Sequence, residues 1–87
     1  MKTFKLIIST PMGNVYENEV SELSVRGVEG SLSVLAGHIP FITTLVPGKI
    51  RVGTEDEDVF FDLSDGILTV TKEKTTILCG KATVLAQ

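Results

Sequence analysis

Apolar and polar residues alternate with a period of two along most of this chain. In Thr3–Ile8 the residues Phe4, Leu6 and Ile8 share one side, with Thr3 and Lys5 opposite. Leu23 and Val25 alternate with Glu22, Ser24 and Arg26, and Leu32 and Val34 with Ser31 and Ser33. The same rhythm returns as Ile50 and Val52 between Lys49 and Arg51, and as Val59, Phe61 and Leu63 between Asp58 and Asp62. Each segment reads as a strand with one dry face and one wet face. The breaks between them are turn residues: Thr10-Pro11-Met12-Gly13-Asn14, Gly27–Gly30, Gly37-His38-Ile39-Pro40, Pro47-Gly48 and Lys72-Glu73-Lys74. Ser64-Asp65-Gly66 joins two strong strands, and the Asp-Gly pair predicts a tight hairpin turn with positive φ. No window of ten or more residues carries a helical stripe with caps. Nine or ten short strands predict an all-β fold of two packed sheets.

Composition narrows the class. The 87 residues form a single domain spanning 1–87, with 43% hydrophobic residues to build its core. A domain of this size buries only about 60–65% of its unfolded surface, so a permanent partner would add stability. The net charge is −3, and the eight Lys and Arg are scattered. That pattern excludes a nucleic-acid surface, which needs concentrated basic charge, and gives no reason to expect direct insertion into lipid. Met1 is followed by Lys2-Thr3-Phe4-Lys5 and then only three apolar residues, so no signal peptide is expected. No apolar run approaches the roughly 20 residues of a membrane span. Cys79 is the single cysteine and lies in the apolar stretch Thr75–Cys79, where it reads as a small hydrophobe.

Catalytic and ligand-binding signatures are missing. No serine sits in a Gly-x-Ser-x-Gly elbow, and no Gly-x-x-x-x-Gly-Lys-Ser/Thr loop is present. One histidine and one cysteine far apart do not make a zinc site. Gly27-Val28-Glu29-Gly30 leads into a strand, so it lacks the helix dipole of a phosphate loop and reads as a hairpin turn. Glu55-Asp56-Glu57-Asp58 are consecutive acids, without the spacing and glycine bend of a calcium loop, and read as a solvated tip. Neither a cofactor nor a bound metal is expected. His38, taken alone, is a loop histidine.

Several pieces in order resemble one family. They are Ser9-Thr10-Pro11-x-Gly13, Gly27-Val28-Glu29-Gly30, and Leu35-Ala36-Gly37-His38-Ile39-Pro40-Phe41. Leu45-Val46-Pro47-Gly48-Lys49-Ile50-Arg51 and Leu63-Ser64-Asp65-Gly66-Ile67-Leu68-Thr69-Val70 complete the series. Together they are similar to the N-terminal domain of the ATP synthase epsilon subunit, called delta in mitochondria. The resemblance implies a ten-stranded sandwich of two sheets in the central stalk, bound to the gamma subunit and resting on the polar loops of the membrane rotor ring. It implies a non-catalytic rotor part that couples proton or sodium flow to ATP synthesis. It also implies a peripheral position on the cytoplasmic face of a bacterial inner membrane.

Carried onto this sequence, the resemblance makes Thr10, His38 and Thr43 gamma-facing, with Val15 and Ile42 as apolar neighbours or else ordinary core. Ser31 stands where many members carry an acid toward the ring, and Glu29 is the candidate to replace it. Ala36 occupies a common proline position, and Asp65 a usual glycine, which Asp tolerates if φ is positive. Family members usually continue into two antiparallel helices that regulate ATP hydrolysis. This chain ends at Val84-Leu85-Ala86-Gln87 with no helical hairpin. If 87 residues is the natural length, hairpin inhibition and ATP sensing are expected to be missing; if the chain is a piece of a longer one, the regulatory part lies outside it. The rival reading is a free-standing β-sandwich binding module. Such modules display aromatic platforms, whereas this chain has no Trp, one Tyr and four Phe.

Overall fold

The computed structural model describes residues 2–37 and 39–85, so His38 lies outside the described residues. Among the described residues there are ten strands and no helix. They are β1 (Phe4–Thr10), β2 (Gly13–Val20), β3 (Glu22–Gly27), β4 (Gly30–Leu35) and β5 (Phe41–Leu45). Then follow β6 (Gly48–Gly53), β7 (Asp58–Leu63), β8 (Gly66–Val70), β9 (Thr75–Cys79) and β10 (Ala82–Leu85).

A strand with one apolar face must bury it against another layer. Here β4, β3, β6, β7 and β10 form one layer, and β5, β8, β9, β1 and β2 the other. Neighbouring strands are antiparallel except β1 and β9, which run parallel from Leu6–Thr75 to Ser9–Leu78. The layers share one continuous ladder because β3 changes partner. Its first half pairs β6 from Glu22–Gly53 to Ser24–Arg51, and its last residue, Gly27, pairs Leu45 of β5. The core lies between the layers and takes the inward residue of each alternation. Leu6, Ile8, Leu23, Val25, Val34, Ile50, Val52, Phe61, Leu63, Leu68 and Ile77 are all buried, as is Cys79. Phe4 and Val59 pack on this cluster from its rim. Tyr16 closes one side, meeting Phe61 edge to face with ring centres 5.3 Å apart.

Three of the hairpins are tied by the same device, a threonine at the start of the turn. The Thr10, Thr54 and Thr71 hydroxyls donate to the carbonyls of Gly13 (3.2 Å), Glu57 (2.7 Å) and Lys74 (2.9 Å). Each also accepts a backbone N–H from inside its turn, from Met12, Glu57 and Lys74. The acidic tip Glu55-Asp56-Glu57 is therefore an exposed hairpin turn between β6 and β7.

The Ser64-Asp65-Gly66 segment departs from expectation. It carries the chain from one layer to the other, since β7 and β8 are not neighbours, so it is no hairpin. Nor does Asp65 use positive φ: among the described residues that region holds only Gly13, Gly30, Gly37 and Gly48. Gly66 is needed for close approach instead. It faces Cys79 across the β8–β9 ladder, and a Cβ there would stand 2.6 Å from the Leu78 carbonyl and 3.0 Å from Cys79 Cβ. Ser64 fastens the crossing, its hydroxyl accepting the N–H groups of Gly80 (3.1 Å) and Lys81 (3.0 Å). Gly66→Ala is expected to destabilise the domain by roughly 1–3 kcal/mol through this overpacking. Asp65→Ala, at an exposed position, should stay within about 0.5 kcal/mol of the parent. Urea midpoints compare the two, and equal values would remove close approach as the reason for Gly66.

Candidate interaction surface

The outward face of the β5-β8-β9-β1 layer carries one charge, Lys5 near the start of β1, and is otherwise neutral across the four strands. Directly paired residues share a face, so the ladders order it into two rows. One row runs Ile42–Thr69–Thr76–Ile7 and ends at Glu17 of β2. The other runs Thr44–Ile67–Leu78–Ser9 and ends at Asn14. Ile42 is 72% exposed, Leu78 52% and Ile67 46%. Isolated exposed aliphatics are ordinary, whereas these three share one face with threonines between them. That charge sits at the β1–β2 border, where Lys5 Nζ lies 2.9 Å from Glu17 Oε2. Their hydrogen bond and mutual attraction raise the Lys5 pKa and lower that of Glu17, so both groups stay ionised at neutral pH.

The predicted positions divide on this surface. Ile42 and Val15 stand outside the core, which settles their packing. Val15 is the extra residue of a bulge opposite Ile8 and Ser9 and is 43% exposed. Thr43 pairs Leu68, which is fully buried, so it points to the opposite side of β5 from Ile42 and is itself partly buried. Thr10 sits at the β1–β2 turn, where its hydroxyl is engaged in holding that turn. The structure thus brings Ile42 together with Ile7, Ile67 and Leu78, none of which stood out in the sequence. One signal was there: Ile67-Leu68 and Ile77-Leu78-Cys79 break the alternation, as strands with two apolar faces do.

Glu29 and Ser31 occupy a different region. The ladders place the turns at 11–12, 28–29, 46–47, 64–65 and 80–81 at one end of the sandwich. Glu29 is exposed at the β3–β4 turn, and Ser31 is exposed one residue into β4, directly opposite Arg26. The tips at 55–57 and 72–74 lie at the far end. Among the described residues no three His, Cys, Asp or Glu gather as a metal site.

The fold is an all-β sandwich with a largely neutral outer face on one layer and five turns gathered at one end. Its family is defined by sequence: the pattern described as ATP synthase, Delta/Epsilon chain, beta-sandwich domain matches residues 3–84. The chain belongs to that family. It is 34% identical over 82 residues to the sodium-ion-specific ATP synthase epsilon chain of Propionigenium modestum, covering 94% of this chain and 60% of the relative. It is 39% identical over 82 residues to the ATP synthase epsilon chain of Priestia megaterium, covering 94% and 61%. The chain therefore spans about three fifths of the length of these relatives. The same fold occurs in a chain of the Euglena gracilis mitochondrial ATP synthase, with TM-score 0.88, 24% identity, and 94% and 53% of the two chains covered. It recurs in the central stalk and ring of the Tetrahymena thermophila mitochondrial enzyme, with TM-score 0.78, 15% identity, and 93% and 66% covered.

Beneath this surface Cys79 is buried, with Sγ 3.8 Å from the Ser9 carbonyl. Burial raises its thiol pKa, and a hydrogen bond with the Lys81 backbone offsets this in part. The thiol therefore stays protonated at neutral pH and is a poor nucleophile. At pH 8 its reaction with a disulfide reagent should be at least about tenfold slower in the folded chain than in denaturant. Equal rates would show that Cys79 is open to solvent.

Proposed function

We propose that this domain is a non-catalytic rotor element of the central stalk of a rotary ATP synthase. The largely neutral outer face of β5, β8, β9 and β1 seats it on the gamma subunit, and its turn-lined end meets the polar loops of the membrane ring. The observation that carries the reading is that face, with Ile42, Ile67 and Leu78 exposed in a chain that belongs to the delta/epsilon family. The role is mechanical. A small, rigid wedge between shaft and ring transmits torque through interfaces, and apolar anchors supply most of the binding at such surfaces. In this reading ion flow, of protons or sodium, turns ring, domain and gamma together. The domain works on the cytoplasmic side of a bacterial membrane without entering lipid. Thr10, His38 and Thr43 stay in the gamma-facing set on the family resemblance, as second to the aliphatic positions.

Gel filtration of the chain with the gamma subunit of its complex is expected to give an equimolar species. Ile42→Asp should weaken that complex by about tenfold or more, since a charge desolvated without a partner is costly. The side chain is exposed in the free domain, so the fold should survive. Val84→Asp is the control, because Val84 is 63% exposed on β10 of the other layer. Equal behaviour of the two variants would move the interface elsewhere.

The ring-facing end has its own test. Glu29→Ala is expected to reduce retention on purified rotor rings, whereas Ser31→Ala should have little effect. Undiminished retention of the Glu29 variant would remove this carboxylate as the ring contact.

A further inference from the structure

The other layer opens where β3 leaves β6. Their ladder ends at Ser24–Arg51, and β3 then turns toward β5, with the Val46 N–H bonding the Arg26 carbonyl at 3.1 Å. If the ladder continued, Arg26 would stand directly opposite Lys49, and like charges in that position repel. The splay instead leaves an open groove of about 720 Å³, with Arg26 and Ser31 on one wall, Lys49 and Pro47 on the other, and Phe60 at one side.

The cations around it are not equivalent. Arg51 is neutralised: its Nη2 lies 2.9 Å from Glu22 Oε1 and donates to Ser24 Oγ at 3.1 Å, and its Nη1 lies 3.4 Å from Asp58 Oδ1. Arg26 and Lys49 form no ion pair among the described residues. Lys49 rests its ammonium 4.5 Å above the Phe60 ring, which fixes it at the groove edge. A chain of net charge −3 thus places two cations on facing walls, Arg26 opposite the neutral Ser31 and Lys49 opposite Asp62 of β7 without forming an ion pair to it. The exposed hydroxyls of Ser31 and Ser33 lie alongside as neutral hydrogen-bonding groups. The groove runs to the β3–β4 and β5–β6 turns, so it is continuous with the end of the sandwich assigned to the ring.

We infer that this groove receives an acidic segment of the docked partner, one carboxylate lying between Arg26 and Lys49. A carboxylate there replaces a like-charge repulsion by two charge-assisted contacts, which favours one register of docking over others. The inference rests on the proposed function in one respect only, that a partner covers this end.

Fluorescence polarisation with a labelled hexaglutamate peptide at low salt tests it on the purified chain. The expected result is saturable binding that falls about three- to tenfold in the Arg26→Gln/Lys49→Gln double variant. A charge-matched Lys72→Gln/Lys74→Gln variant, changed at the opposite end, should bind as the parent does. Circular dichroism confirms that both are folded. Equal weakening in the two variants, absence of saturable binding, or displacement of the peptide by an equal concentration of inorganic phosphate would overturn the inference. Capture by gamma is measured separately, so loss of that complex with intact peptide binding counts against the proposed function alone.

Discussion

The change of partner by β3 is the constraint on which the rest of the molecule depends. Two five-stranded layers held only by side-chain packing would leave this small chain with two separate ladders and four strand edges. By pairing β6 through Ser24 and β5 at Gly27, β3 joins them into one ladder. Gly27 is buried at the corner, where a Cβ would already stand 3.4 Å from both Leu32 Cδ2 and the Thr44 carbonyl. Strands at barrel corners bend in this way because a residue without a side chain lets two backbones approach. The core then fills the space between layers with residues from every strand through β9.

Both surfaces follow from that geometry. In the layer of β5, β8, β9 and β1, each central strand is paired on both sides and packed beneath. Its outward residues are then free of any duty to the fold, and aliphatic positions such as Ile42 and Leu78 stand exposed there. In the opposite layer the same corner pulls β3 away from β6, so two cations that a regular sheet would force together face each other across a gap. One surface is largely neutral and broad, the other charged and concave. That difference suits a part held between unlike neighbours, with apolar contact giving affinity and charge fixing orientation.

Sequence pattern reached far into this structure because period-two alternation is a local property. The inward positions Leu6, Ile8, Leu23, Val25, Ile50, Val52 and Phe61 were legible from their neighbours alone, and so were most turns. Ser64-Asp65-Gly66 shows where local chemistry stops deciding. An Asp-Gly pair between strong strands has the chemistry of a hairpin, but whether two strands pair is decided by the whole ladder. Gly66 is glycine because Leu78 and Cys79, more than ten residues away, occupy the space of its Cβ.

The candidate site shows the same division. Which residues are apolar, which family the chain belongs to, and that Glu29 sits at an exposed turn were all fixed by the order of amino acids. That Ile42 joins Ile7, Ile67 and Leu78 on one face, while Thr43 turns to the other side, depended on strand register across four ladders. Scattered cations in the sequence likewise became a facing pair only through the splay of β3 from β6. Alternation is written residue by residue, so the chain declares its strands. Adjacency between strands distant in sequence is set by the shared core, and only the folded molecule decides it.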